Sequence, residues 1–498
     1  MAGIGFELKK MFDKKGLFAA MKAYGYASVV CVGPMMLGMA LLFGIRLIAE
    51  TGGATETETE ILNSMVTHAL LCSLVFTNAF SMVTTRYVSD QLYMNEKKKV
   101  MPSFWGSISL MLVLGVIGYG IFLFRSEMSF TYKILNLILF GELIVVWTEM
   151  NYLTAIKDYS GIMKTFVFAM VLAWLGTFLL MLTGMEIITA MILSVCIAYG
   201  AMMVWYYVLL LRYFPSTHSS SMEFLKWFDK YPSLILLGAS SAIGVYGHII
   251  IMWSSDIGKS VLGSFRGAPS YDVPALLAFM SILVTTINFV TSVEVKFYPK
   301  YRTCFSILND GGSYMDIEQA QRELKTALYK ELTYTFTKQV FVTIVFIVAG
   351  TLFLPDLPLG MTDDMLGVYR VLCIGYAFYA VGNCTTLMQL YFSDNKGGLI
   401  GTLCFMIISI LGTLYYNDMG SKYYGVGFLV AGIIYAIVSL MLLRKYLKNL
   451  LFYVLCSQPL VVVERVGVFS RISNKLKAGY EKKHHDEIVM EGIVDEAD

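Results

Sequence analysis

Apolar runs long enough to cross a lipid bilayer recur along the whole chain. From Ala23 to Ala49 the only charged side chain is Arg46, and a helix needs about 20 mostly apolar residues to span the hydrocarbon core. Comparable runs lie near 22–49, 61–85, 104–124, 130–156, 162–183, 187–211, 231–253, 273–295, 334–354, 365–391, 398–416 and 423–443. In hydrocarbon every backbone N–H and C=O must find its partner within the segment, so each run is read as a helix. Length alone would suggest about three soluble domains. With 57% hydrophobic and 15% charged residues, the chain is instead expected to be an all-α polytopic membrane protein of twelve spans.

With a cytoplasmic N-terminus, every Lys and Arg falls in a cytoplasmic segment except Arg46, Arg125, Lys133, Lys259, Arg266, Arg370 and Lys422. The positive-inside rule then puts both termini in the cytoplasm. The opening "MAGIGFELKKMFDKKGLF" lacks the short apolar core and small-residue cleavage site of a secretory signal. Ile4, Leu8, Met11 and Phe12 recur at helical intervals, with Lys9, Lys10, Lys14 and Lys15 mostly on other faces. That pattern fits an amphipathic helix in the cytoplasmic headgroup layer, and equally a solvated basic terminus.

The six-helix unit is duplicated. "NAFSMVTTRY" (78–87) lies over "NFVTSVEVKF" (288–297), "DYSG" (158–161) over "DNKG" (394–397), and "LLLRYF" (209–214) over "MLLRKY" (441–446). The order of the echoes, with one insertion placed in the long loop at about 297–333, fits two parallel lobes related by an axis along the membrane normal. The expected plan is an interfacial segment at 1–21, an N-lobe at 22–212, a cytoplasmic linker at 213–230, a C-lobe at 231–448 and a cytoplasmic tail at 449–498.

Catalytic signatures are missing. The eight cysteines lie mostly in apolar runs without a C-x-x-C pair, and there is no Walker A sequence, G-x-G-x-x-G or nucleophile elbow. No enzyme activity, metal, cofactor or nucleic-acid partner is expected. What remains informative is polarity inside the spans, which is costly and needs a reason. Glu142 and Glu149 stand seven residues apart with Tyr152 nearby, so the three share one helix face. That face suits a water-filled substrate path, or an interhelical polar contact. Tyr369, Tyr376 and Asn383 are also in register, with Tyr379 one turn before Asn383. Such a stripe offers ring faces and polar tips to a sugar, and also suits helix packing.

Asn78 and Asn288 are matched by the repeat and assigned to the same path. Arg86 and Lys296 close their spans and fit either a basic cytoplasmic mouth or snorkelling cations. Gly33-Pro34 is the expected kink and hinge of the first span. His248 fits a titrating group or a packed histidine.

Twelve spans in two parallel lobes resemble the multidrug, oligosaccharidyl-lipid and polysaccharide (MOP) exporter superfamily, with a MATE-like fold. "MAGIGFELKKMF" leading into a Gly-Pro-bearing span resembles, within it, the PelG family of Pel exopolysaccharide exporters. The resemblance covers roughly residues 1–448. It implies a multi-pass protein of the bacterial cytoplasmic membrane that exports a nascent hexosamine-rich polymer for the biofilm matrix. It also implies a cytoplasmic glycosyltransferase partner (PelF-like) and companion membrane proteins of the PelD and PelE kind. A flippase for a lipid-linked oligosaccharide and a membrane scaffold for the synthase fit the same chain. An ion-coupled multidrug antiporter fits less well, because no acidic residue lies between Lys22 and Glu50 or between Asp229 and Asp256.

Overall fold

The computed structural model describes residues 36–156, 158–215, 220–357, 360–456 and 466–483. Among them eleven helices are long and apolar enough to cross a membrane, and they correspond to the second through twelfth expected spans. The first span is described from residue 36 as helix α1, 36–51; Gly33, Pro34 and the segment 1–21 lie outside the described residues.

The chain forms two compact units. Of the described residues, those within 36–242, 260–266 and 466–483 belong to the N-terminal unit and those within 243–259 and 267–456 to the C-terminal unit. The N-terminal unit contains α1, α2 (Glu56–Tyr93), α3 (Val100–Arg125), α4 (Phe130–Ile156), α5 (Tyr159–Leu182), α6 (Ile187–Tyr213) and the short α7 (Lys226–Lys230). Helix α8 (Pro232–Trp253) is shared between the units, and strands β1 (Lys259–Leu262) and β2 (Phe265–Gly267) form a two-stranded hairpin. The C-terminal unit continues with α9 (Pro269–Met280), α10 (Leu283–Ser292), a π-helical turn at Val293–Phe297, α11 (Tyr298–Asn309), α12 (Tyr314–Phe353), α13 (Asp363–Tyr391), α14 (Asn395–Asn417) and α15 (Val426–Lys448). A last helix, α16 (Val468–Lys483), belongs to the N-terminal unit.

Small residues bring the helices together. A Cβ at Gly427 would lie 2.3 Å from the backbone of Gly412, so α14 and α15 meet main chain to main chain. In hydrocarbon, where lipid is as apolar as leucine, such close packing is a principal source of helix association. In the N-terminal unit, the Trp174 indole covers Gly44 and donates to the Leu41 carbonyl at 3.1 Å.

The repeat is visible in the caps. Asp158 (φ −82°, ψ 64°) caps α5 and accepts from the Gly161 amide at 2.9 Å, while Asp394 (φ −80°, ψ 65°) caps α14 and accepts from Gly397 at 3.0 Å. The "D-x-x-G" echo is one N-cap built twice, with glycine at the third helical position because a Cβ there would strike the capping carboxylate.

Three elements depart from the sequence reading. The eighth span, expected as one helix at 273–295, is broken: Ser281 and Ile282 bond back three residues to Ala278 and Phe279, and the helix restarts at Leu283. The loop expected at 297–333 is helical. Ser313 caps α12, which runs 40 residues through strong helix formers and places Leu324 and Leu328 in a core with Phe297, Met388 and Leu443. The β hairpin, with strands of only four and three residues, was not anticipated.

Candidate functional site

In the N-terminal unit, α4 carries its two carboxylates into the interior. Glu149 is 1% exposed, and its Oε2, like that of Glu142, has no hydrogen-bond partner among the described residues. Glu142 is half-buried against α6, where a Cβ at Gly200 would lie 3.1 Å from Glu142 Oε1. Tyr152 is committed to packing: its hydroxyl lies 3.0 Å from Ser103 Oγ, and its ring meets Phe104 edge-on. Asn78 is half-buried and donates to its own helix at the Leu74 carbonyl, 3.0 Å away.

The tyrosines of α13 are also engaged. Tyr369 donates to the Phe346 carbonyl at 2.7 Å, and the Tyr376 hydroxyl lies 3.3 Å from His248 Nε2, whose Nδ1 is 2.7 Å from the Tyr271 hydroxyl. His248 is thus a packed histidine in an aromatic cluster that includes Phe428. Tyr379 lies among Phe405, Phe428 and Tyr435, and Asn383 is half-buried one turn further on.

The two basic residues matched by the repeat have matching surroundings. Arg86 pairs with Asp90 at 3.1 Å and lies over the Tyr231 ring at 5.3 Å. Lys296 pairs with Glu331 at 3.3 Å and lies over the Tyr334 ring at 5.1 Å. Each combines a carboxylate with a cation–π contact.

Sequence reasoning named Asn288 and Lys296 but missed the polar helix face that they meet. Glu331, Thr335, Gln339 and Thr343 are all buried and recur every four residues, forming one face of α12. Opposite them stand Thr285, Asn288 and Ser292 on α10, directly before the π-helical turn. Ser292 donates to Glu331 Oε2, Lys338 donates to Asn288 Oδ1 at 2.8 Å, and Gln339 Nε2 donates to Thr343 at 2.9 Å. Yet Thr285 Oγ1, Asn288 Nδ2, Thr335 Oγ1 and Gln339 Oε1 have no partner among the described residues. Buried polar groups are nearly always paired, so four orphans on one interface call for an explanation. A groove of about 760 Å³, lined by Lys296, Thr326, Tyr329, Lys330, Glu331, Thr333 and Tyr334, opens at the Glu331 end of this face.

A family model described as "PelG: Putative exopolysaccharide Exporter (EPS-E)" matches residues 1–455. The chain belongs to the PelG family. No curated protein matches it significantly. The fold is that of the MOP superfamily. The chain superposes with TM-score 0.56 on an outward-facing multidrug resistance MATE family transporter (16% identity, 85% of this chain and 96% of that one). It superposes with TM-score 0.59 on a MOP superfamily transporter from Pyrococcus furiosus described as having a binding pocket of reversed polarity (14% identity, again 85% and 96%). An inward-facing MATE family transporter gives TM-score 0.55 at 13% identity, over 85% of this chain and 98% of that one.

PelG-family membership and this fold make the chain a multi-pass membrane exporter and not an enzyme. For a PelG-family exporter, the α10–α12 face supplies hydroxyl, amide and carboxylate groups in one buried row, with the half-buried Lys338 ammonium beside it. Glu331 lies three residues before the span expected at 334–354, whereas Lys338 lies inside it. The four-residue spacing of Glu331, Thr335, Gln339 and Thr343 is legible in the sequence once 314–353 is read as a single helix.

Proposed function

We propose that this chain exports a nascent hexosamine-rich exopolysaccharide of Pel type across the bacterial cytoplasmic membrane, receiving it from a cytoplasmic glycosyltransferase. The observation that carries the reading is the orphaned polar face between α10 and α12. A polysaccharide presents hydroxyl donors and acceptors at short, regular intervals, which is what such a face lacks. Gln339 Oε1 and Thr335 Oγ1 accept from sugar hydroxyls, Asn288 Nδ2 donates, and the Tyr334 ring at the Glu331 end offers a stacking surface. Neighbouring polar residues are about 6 Å apart along the helix, so a chain of sugars exchanges one set of partners for the next without leaving the row. Several weak sites in series favour both entry and exit.

In the N-terminal unit Glu142, Glu149 and Asn78 are proposed for the same path, and in the C-terminal unit Tyr379 and Asn383 at its aromatic margin. Arg86 and Lys296 are proposed as a basic mouth, Gly33-Pro34 as a hinge, and residues 1–21 as the docking site for the glycosyltransferase and its PelD/PelE-like companions.

The test compares secreted with cell-retained hexosamine polymer in cells lacking the protein, complemented with wild type or with Glu142→Gln plus Glu149→Gln, at matched membrane levels. Secretion that is lost in the null and restored by wild type but not by the double variant supports export through a path using α4. Unchanged secretion in the null contradicts the export reading and favours a lipid-linked oligosaccharide as substrate.

A further inference from the structure

Helix α16 is docked the wrong way round for a helix in water. Its polar side faces the protein: Ser470 and Ser473 are buried, the Ser470 amide and hydroxyl donate to Asp229 Oδ2 at 2.6 and 2.7 Å, and Lys477 pairs with Glu223 at 2.6 Å. Its apolar side faces out, with Val468 67%, Ile472 44% and Leu476 47% exposed. At helical spacing these three form one stripe, and Arg471, Lys475 and Lys482, all exposed, run along one border of it.

The place where α16 docks fixes its depth. Asp229 and Glu223 belong to the segment between the end of α6 at Tyr213 and the start of α8 at Pro232, two spanning helices. Phe228 of that segment packs on Phe80 of the spanning helix α2 at 6.0 Å and on Phe469 of α16 at 5.4 Å. Trp227 of the same segment meets the Tyr87 ring edge-on and donates to Asp90 at 2.8 Å, so the outward stripe is held beside the end of α2 that is followed by Lys97, Lys98 and Lys99. On the positive-inside reading that end is cytoplasmic, where the leaflet surface is anionic.

We propose that α16 is an interfacial helix that binds an anionic phospholipid surface. Val468, Ile472 and Leu476 enter the acyl boundary while Arg471, Lys475 and Lys482 meet lipid phosphates. An aliphatic stripe bordered by a row of cations matches the layering of a headgroup region, with acyl chains below and phosphates above. The helix thereby ties the 223–230 segment to the bilayer, whatever the transported substrate is.

The test uses the full chain with its native cysteines replaced, in nanodiscs, carrying a nitroxide on Leu476→Cys or, separately, on Asn474→Cys. Collisional accessibility to oxygen and to a water-soluble nickel chelate is then read. In discs containing about 30% phosphatidylglycerol, the oxygen-to-nickel ratio at 476 is expected to exceed that at 474 by about threefold or more. The difference is expected to collapse in pure phosphatidylcholine discs, and also when Arg471, Lys475 and Lys482 are all changed to Glu. Equal ratios at the two positions overturn the proposal. So does a label at 476 shielded from both reagents, which would mean a protein surface covers the stripe, or a raised ratio indifferent to lipid charge.

Discussion

Lys296 Nζ lies 3.3 Å from Glu331 Oε2, joining the π-helical turn after α10 to the start of the buried polar face of α12. Lys296 is more than half exposed while Glu331 is almost fully buried, so the pair has one water-facing and one interior member. A π-turn commonly marks a functional site in a helix. Here it holds the ammonium beside the groove of about 760 Å³.

Glu331→Gln keeps the shape of the side chain and an acceptor for Ser292 but removes the charge that holds Lys296. Polymer secretion is expected to fall roughly tenfold, the rate equivalent of about 1.4 kcal/mol, with unchanged protein level in the membrane. Secretion at the wild-type rate would show that the pair is structural.

Thr335→Val combined with Thr285→Val separates a transport path from helix-packing glue. Thr335 Oγ1 and Thr285 Oγ1 have no partner among the described residues, and replacing unpaired buried polar atoms with apolar ones of similar shape is nearly neutral or stabilising. The double variant is expected to melt in detergent at or above the wild-type temperature while losing export. Tyr369→Phe should behave oppositely. It removes the bond to the Phe346 carbonyl, costs about 0.5–1.5 kcal/mol and leaves export intact.

Gly397→Ala and Gly161→Ala test the duplicated cap. A Cβ at Gly397 would stand 2.2 Å from Asp394 Oδ2, and one at Gly161 2.6 Å from Asp158 Oδ2. Each substitution is expected to destabilise its unit by about 1–3 kcal/mol. Gly118→Ala, where nothing lies within 4 Å, should be neutral or slightly stabilising. Thermal unfolding of the three variants in one detergent gives the comparison.

What was legible followed from composition and register. The spans could be read because bilayer length imposes long uncharged runs, and the repeat because the Asp158 and Asp394 caps need the same two residues at the same spacing. The broken eighth span was not legible, since Ser281 and Ile282 turn the chain without a Pro or Gly to announce it. The polar face of α12 escaped for a related reason. Glu331 sat in what was read as loop, so the four-residue period running to Thr343 was cut at its first member. Tyr152 shares a helical register with Glu142 and Glu149, and Tyr369 with Tyr376, but periodicity does not say whether a hydroxyl is free, and neighbouring helices supply partners for all three.

Asp229 makes the docking of α16 sensitive to acid. Burial pushes its carboxyl up, but donors from the Ser470 side chain and from the Ser470, Phe469 and Gly467 amides outweigh this and hold it below the usual aspartate range. A folded pKa below the unfolded one contributes stability that is fully present above the unfolded value and is lost as pH falls through the folded value. Lowering the pH through and below the ordinary aspartate range should therefore release α16, and Asp229→Asn should weaken docking already at neutral pH. Protease cleavage between α15 and α16 in the full-length protein, followed by retention of the C-terminal fragment across a pH series, reads this out. Retention that does not change between neutral and strongly acidic pH would contradict it.

The most direct measurement is photo-crosslinking in cells that are making polymer, with a benzophenone amino acid at position 339 on the buried polar face or at position 341, where Phe341 is exposed on the opposite side of α12. The account predicts adducts at 339 that a glycoside hydrolase removes, and none at 341. Export that continues without any sugar adduct at 339 would contradict a polysaccharide path along α12.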